Sequence, residues 1–346
     1  MRAVLFKSEG AVQVGEVPDP TILAPGDAIV RVTRSAICGS DLHFFHLKAP
    51  VEPGDVMGHE GVGVIEAVGD GVTSIHPGDR VVVSFHACCG TCWFCRQGET
   101  ALCEKGRIFG AGLFGGRLAG TQAELVRVPY ADVNLLVLPE TIDDDRAIFL
   151  GDVATTAVYA ASLAAARPGE TAAVVGLGPV GSLCIQALFA AGAERVVALD
   201  RDPARLALAS AAGAVTVHVD ERNPEMALAA LTEDRGADVV IEAVGHPEAF
   251  ASALDVVRRG GRIIVAGMYA GEVTDLQLGV WWARALDVRF TGLCPVHSWW
   301  ERAAALLADG SIDPMPLISH RLPMEEAQAG YAAFDRREAT KVLLAP

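Results

Sequence analysis

Thr171-Ala172-Ala173-Val174-Val175 runs directly into Gly176-Leu177-Gly178-Pro179-Val180-Gly181. A short apolar run closed by glycine predicts a strand buried on both faces. The glycines that follow read G-x-G-x-x-G and open a helical pattern. In such a turn the first glycine permits the tight bend. The second lets backbone approach a pyrophosphate, the third lets helix and strand pack closely, and the helix N-terminus offers oriented N–H groups. Residues 171–193 carry no charge and are long enough to span a bilayer. Their glycines and Pro179 divide them instead into strand, turn and helix. Asp200 ends the next predicted strand, where a carboxylate can accept hydrogen bonds from the ribose of NAD and repel the 2′-phosphate of NADP. Arg201 and Arg205 follow it and can soften that preference.

Downstream, apolar strands at 195–199, 215–219, 238–242, 262–266 and 287–291 alternate with helical segments. Asp202 and Pro203 mark a helix start and Gly213 its end. This alternation predicts an α/β, Rossmann-type doubly wound parallel sheet over 151–294. Upstream the character is different. Valine- and isoleucine-rich runs at 28–32, 61–68, 80–85 and 123–128, separated by glycine and proline, predict a β-rich domain over 1–150. Residues 295–346 predict helices at 299–307 and 325–335 and a strand at 340–344. That strand is expected to return to the N-terminal β domain.

Of 346 residues, 51% are hydrophobic and 21% charged, so the chain can bury a large core and is not disordered. Lysine and arginine total 28 against 43 acidic residues, a formal charge of −15. That acidity argues against nucleic acid or an anionic membrane as the main partner. The opening MRAVLFKSEG has neither the apolar core nor the cleavage site of a secretory signal. A cytoplasmic protein is expected.

Five of the eight cysteines lie at 88, 89, 92, 95 and 103. In a long chain without a signal such density points to metal rather than disulfides. Cys89, Cys92, Cys95 and Cys103 have the spacing C-x2-C-x2-C-x7-C, and four thiolates can close a tetrahedral zinc site with no position left for substrate. Spacing alone leaves an iron–sulfur centre open, and Cys88 is a spare thiol that could compete as a ligand. A second set is dispersed. Cys38 lies in CGSDLH at 38–43, His59 and Glu60 lie in GHEGVG at 58–63, and Asp152 stands alone among apolar neighbours. One thiolate, one imidazole and one carboxylate would leave a fourth zinc position open. Each also has an ordinary reading: a small buried cysteine, a core histidine, a helix N-cap.

Taken together, CGSDLH, GHEGVG, the cysteine lobe at 88–103, GDVATTA at 151–157, GLGPVG at 176–181 and Asp200 resemble the zinc-containing medium-chain alcohol dehydrogenases, in order and over essentially the whole chain. The resemblance implies a GroES-like catalytic domain plus a Rossmann domain. It implies that Cys38, His59 and Asp152 hold a catalytic zinc, with Glu60 able to bind or exchange there. It makes Asp41 the carboxylate that orients the histidine ligand, and Ser40 and His43 a proton relay. Thr156 would flank the nicotinamide, as would Thr155. Asp152 departs from the cysteine many members carry, which blurs the substrate subgroup. The implied cofactors are two zinc ions and NAD, with a homo-oligomer expected, a tetramer or a dimer.

The implied reaction is reversible oxidation of a primary or secondary alcohol to an aldehyde or ketone, with hydride passing to NAD. The alternatives are a polyol or sugar dehydrogenase of the same chemistry and a non-catalytic NAD-binding protein. Phe44, Trp93, Phe109, Phe114, Trp281 and Trp282 suggest apolar pocket walls and tilt the expectation towards apolar alcohols.

Overall fold

A computed structural model describes residues 1–269 and 277–346. They form two compact units. The first gathers residues 1–155, 295–308 and 314–346, and the second 156–294 and 309–313.

The strands of the first unit are β1 (Arg2–Ser8), β2 (Ala11–Glu16), β3 (Ala28–Ile37), β4 (Glu60–Val68), β5 (Arg80–Val83), β6 (His86–Ala87), β7 (Arg107–Ile108), β8 (Leu125–Val128) and β9 (Leu135–Val137). The second unit supplies β10 (Thr171–Val175), β11 (Arg195–Asp200), β12 (Val215–His218), β13 (Ala237–Glu242), β14 (Val257–Val265) and β15 (Asp287–Phe290). β16 (Ile318–Pro323) and β17 (Lys341–Ala345) belong to the first unit again.

In the first unit a seven-stranded sheet has the order β16-β17-β3-β4-β5-β9, with β8 also on β3. β17 lies antiparallel to β3, Val342 opposite Ile37 and Leu344 opposite Ser35. β3 and β4 are longer than the hydrophobic runs suggest. Arg31, Thr33 and Arg34 interrupt the apolar pattern, yet β3 continues to Ile37 and ends beside Cys38, while β4 begins at Glu60 itself. Pairing Ala36 with Glu60 therefore brings the two donor segments side by side. One core lies between Phe6, Ile37, Phe44, Tyr331 and Val342, another around Val30, Val81, Phe109 and Val126.

The second unit holds a six-stranded parallel sheet in the order β12-β11-β10-β13-β14-β15. In sequence terms this is 3-2-1-4-5-6, with its switch point between β10 and β13. The uncharged stretch at 171–193 divides into β10, the glycine turn and a helix at Pro179–Ala190. Among the described residues no single helix is long and apolar enough to cross a membrane.

Candidate metal and dinucleotide sites

The first site is built where β3 ends, where β4 begins, and at the break between a 3-10 turn (Ile148–Gly151) and the helix Val153–Ala164. Asp152 occupies that break with non-helical backbone angles. Its Oδ2 lies 3.8 Å from Cys38 Sγ and 3.4 Å from His59 Nε2. Donor atoms of Cys38, His59, Glu60 and Asp152 all lie within 4.8 Å of one another. Asp41 is fully buried; its Oδ2 accepts from the Cys38 amide at 3.0 Å, and its Oδ1 stands 3.0 Å from His59 Nδ1. The imidazole is thus turned so that Nε2 faces Asp152 and, at 3.3 Å, Ser40 Oγ.

This donor set fits a cation. Burial pushes His59 down, but Asp41 first and then Asp152 drive it well above the ordinary imidazole range. Burial, then Glu60, raise the Cys38 thiol. Buried anionic groups converging at these distances call for positive charge. Glu60 meets part of that call through a residue the sequence reading missed. Lys341 on β17 is fully buried and its Nζ bonds Glu60 Oε2, with the Phe149 ring centroid 5.6 Å away. Among the described residues, the buried Glu60 Oε1 has no hydrogen-bond partner. A lysine opening the apolar run Lys341-Val-Leu-Leu-Ala345 was the available signal.

Cys89, Cys92, Cys95 and Cys103 form the other donor set, again within 4.8 Å. Four sulfurs each ~2.3 Å from one zinc would stand about 3.8 Å apart. Cys92 Sγ lies 3.5 Å from Cys95 Sγ and 3.9 Å from Cys103 Sγ, and all four are free thiols. The Cys89 and Lys105 amides donate to Cys103 Sγ. Cys95 and Cys103 are pushed up to about 12, chiefly by burial, whereas amides of Thr91 and Cys92 bring Cys89 down to about 6. These residues fit a closed zinc site. Cys88 is outside the set: it is buried with its Sγ 3.8 Å from both ring nitrogens of His297, so the geometry does not make it a competing ligand.

In the second unit, Gly176 takes φ +86°, and a Cβ on Gly181 would sit 1.9 Å from the Gly176 carbonyl. Both positions require glycine. A Cβ on Gly178 would meet nothing within 4 Å among the described residues. Pro179 and Val180 begin the helix behind it. Asp200 Oδ2 accepts from Leu177 N at 2.6 Å, and Oδ1 from Arg201 N and Asp202 N. Three backbone donors fix the carboxylate at the turn, two on Oδ1 and one on Oδ2, which keeps an accepting site on Oδ2. Arg205 Nε lies 3.6 Å from Asp202 Oδ2 and, among the described residues, makes no hydrogen bond.

The profile of the alcohol dehydrogenase GroES-like domain matches residues 24–140 and that of zinc-binding dehydrogenases residues 179–309. The zinc-type alcohol dehydrogenase-like protein AdhB of Bacillus subtilis is 36% identical, each chain covered completely. The chain belongs to the zinc-containing medium-chain alcohol dehydrogenases. As a member of that family it is a zinc-dependent alcohol oxidoreductase that uses a nicotinamide dinucleotide. The L-threonine 3-dehydrogenase of Bacillus subtilis is 33% identical over 99% of this dehydrogenase and 98% of that protein. The solved alcohol dehydrogenase TADH from Thermus sp. ATN1 is 44% identical, with a TM-score of 0.95 over 100% of this chain and 99% of that one.

Other expected residues are placed less simply in the dehydrogenase. His43 is half-buried on the short helix Asp41–Phe45, and among the described residues it makes no side-chain hydrogen bond to Ser40. Thr155 is buried and spends its hydroxyl on the Leu150 carbonyl at 2.7 Å; Thr156 is partly buried beside it. Within the first unit, the aromatic residues Phe44, Trp93, Phe109 and Phe114 do not share one wall. Phe44 and Phe109 are core residues of two separate clusters, whereas Trp93 and Trp282 are exposed. The expected tilt towards apolar alcohols loses that support.

Proposed function

We propose that this dehydrogenase oxidises a primary or secondary alcohol to an aldehyde or ketone reversibly, with NAD preferred over NADP. The observation that carries the reading is the convergence of Cys38, His59 and Asp152, a donor set that leaves a zinc coordination position for substrate. When bound, the metal supplies Lewis acidity towards the alcohol oxygen, and the dinucleotide supplies the hydride acceptor. Asp41 holds His59 in the tautomer that presents Nε2. Lys341 draws one oxygen of Glu60 away and leaves the other as a reserve donor. Ser40 Oγ, beside His59 Nε2, accepts the alcohol proton as its own hydroxyl proton leaves towards solvent, with the His43 side chain, which among the described residues does not bond Ser40 directly, as the base on the solvent side. His43 returns it to water: burial, then Lys48 and His46, keep its imidazole below the ordinary value, so it is neutral and accepting at neutral pH.

The glycine turn at 176–181 binds the pyrophosphate, and Asp200 disfavours a 2′-phosphate by charge. Arg201 and Arg205 moderate that preference, and Thr156 lies beside the nicotinamide. Cys89, Cys92, Cys95 and Cys103 hold a second, structural zinc. The open edge β15, with exposed Phe290 and the exposed Leu278, Val280 and Trp282 before it, supports a homo-oligomer, a tetramer or a dimer. Eight free cysteines, two sets of them suited to metal, support a reducing, cytoplasmic setting.

A panel of simple alcohols, polyols and their carbonyl products, assayed with NAD(H) and NADP(H), tests the reading. Highest kcat/KM for a simple alcohol with NAD supports it. A best substrate among polyols would move it to the polyol branch, and NADP preference would show that the two arginines outweigh Asp200.

A further inference from the structure

The helix Val296–Ala308 touches neither donor set as a ligand, yet its first turns reach both. His297 lies against the cysteine lobe. Its Nδ1 is 3.0 Å from Thr100 Oγ1 and its Nε2 is 2.8 Å from Asn134 Oδ1. The Asn134 amide is fixed, because Nδ2 donates to the carbonyls of Cys88, Pro129 and Tyr130 while Oδ1 accepts the Cys88 amide. Nε2 of His297 must therefore carry the hydrogen, and Nδ1 accepts from Thr100. One turn on, Trp300 is buried and donates Nε1–H to the Leu150 carbonyl at 2.9 Å. That carbonyl also receives the Thr155 hydroxyl, and the next one, on Gly151, receives the Phe85 amide at 3.0 Å. These three donors hold the turn that presents Asp152. From His297 a run of edge-to-face rings leads the other way: His86 at 4.9 Å, Phe85 at 4.6 Å from His86, and His59 at 6.3 Å from Phe85. His297 and Trp300 themselves meet edge to face at 5.1 Å.

We infer that His297 and Trp300 are positioning residues that brace the Asp152 turn and the His59 ring against the cysteine lobe, so that an ordered lobe sharpens the catalytic donor set. This rests on the assignment of Cys38, His59 and Asp152 as ligands. Neither residue touches the reacting atoms. Their effect passes through the Leu150 carbonyl and the run of edge-to-face rings. Supporting contacts of this kind typically alter metal affinity about 10–100-fold.

The test uses the full chain with zinc in the lobe and cobalt(II) in the Cys38/His59/Asp152 set. Trp300→Phe keeps most of the ring volume and removes the N–H. His297→Leu removes both hydrogen bonds, and His297→Gln restores a donor towards Asn134. The expected result is a changed visible cobalt spectrum and about 10-fold faster cobalt release to a chelator in Trp300→Phe and His297→Leu. Lobe zinc should be retained, and His297→Gln should be partly restored. On one path, the effects of the two severe substitutions should multiply to less than independent factors would. Wild-type spectra with release rates within twofold of wild type would overturn the inference. So would parallel loss of lobe zinc and cobalt, which would mark the helix as a general support. If the wild-type chain takes up no cobalt outside the lobe, the ligand assignment itself fails.

Discussion

Lys341 and Glu60 illustrate what a single buried charge demands. Both side chains are fully buried, and each is the other's ion-pair partner. Removing one member of such a pair leaves the other desolvated and uncompensated, at a cost of about 3–5 kcal/mol. Lys341→Met is therefore expected to lower the urea midpoint sharply, and adding Glu60→Gln should recover most of the loss. Equal and additive losses in a double-mutant cycle would show that the pair does not act as a unit. His43 poses a different question, since it is assigned a proton rather than a metal. His43→Ala should keep its zinc and its NAD affinity but slow alcohol oxidation near neutral pH by up to about 100-fold, the low end for general-base effects. Added imidazole or higher pH should recover part of the rate. Cys38→Ala should abolish turnover with no such rescue. A His43→Ala profile matching wild type at every pH would remove His43 from the relay. At the dinucleotide turn, Asp200→Gly should narrow or reverse the ratio of kcat/KM for NAD over NADP, because it deletes the charge that opposes a 2′-phosphate.

Among the elements, the cysteine lobe was the most legible, because four thiols at that spacing have few other uses. Its tiny strands β6 and β7 were not, since two-residue strands carry no periodicity. The lobe's order is expected to come from its metal: Cys92→Ala should reduce zinc from two ions per chain to one and lower the thermal midpoint. Two zinc ions retained in Cys92→Ala, or iron in the purified wild type, would refute the structural-zinc assignment. The Asp152 turn was legible only as an oddity, a carboxylate among apolar neighbours. What brings it to Cys38 is the pairing of β3 with β4 and the break before Val153, and neither leaves a local pattern. For the same reason the sequence marks Trp300 only as part of a helix at 299–307 and leaves His297 outside that predicted span. Their partners, Leu150 and Asn134, are distant in sequence.

For the whole molecule, a doubly wound parallel sheet was legible in the alternation of strands and helices, but its 3-2-1-4-5-6 order was not, because pairings between distant strands leave no local pattern. Stability against acid is also a property of the whole fold. Burial, then the neighbouring His86, hold His297 well below the usual imidazole range, with Cys88 also facing the ring. A depressed value means that the unfolded chain binds the extra proton first. The contribution is complete above about pH 6.5 and is lost as pH falls towards the folded value, by up to about 1.4 kcal/mol per unit. Urea unfolding at pH 7.5 and 5.5 should thus show a steeper loss for wild type than for His297→Gln. Identical slopes would mean that His297 titrates normally.

The placement of β17 between β16 and β3 also sets a timetable for biosynthesis. On the ribosome β3 emerges early, but its partner follows only after every strand of the second unit has been translated. Until then Ser35, Ala36 and Ile37 at the end of β3 lack their antiparallel partner on one edge, although β8 already covers the start of that edge, and Glu60 has no lysine. The second unit, drawn almost entirely from one continuous stretch, can mature while the first still waits. The second unit can thus be complete before the Glu60 carboxylate of the first has its balancing charge.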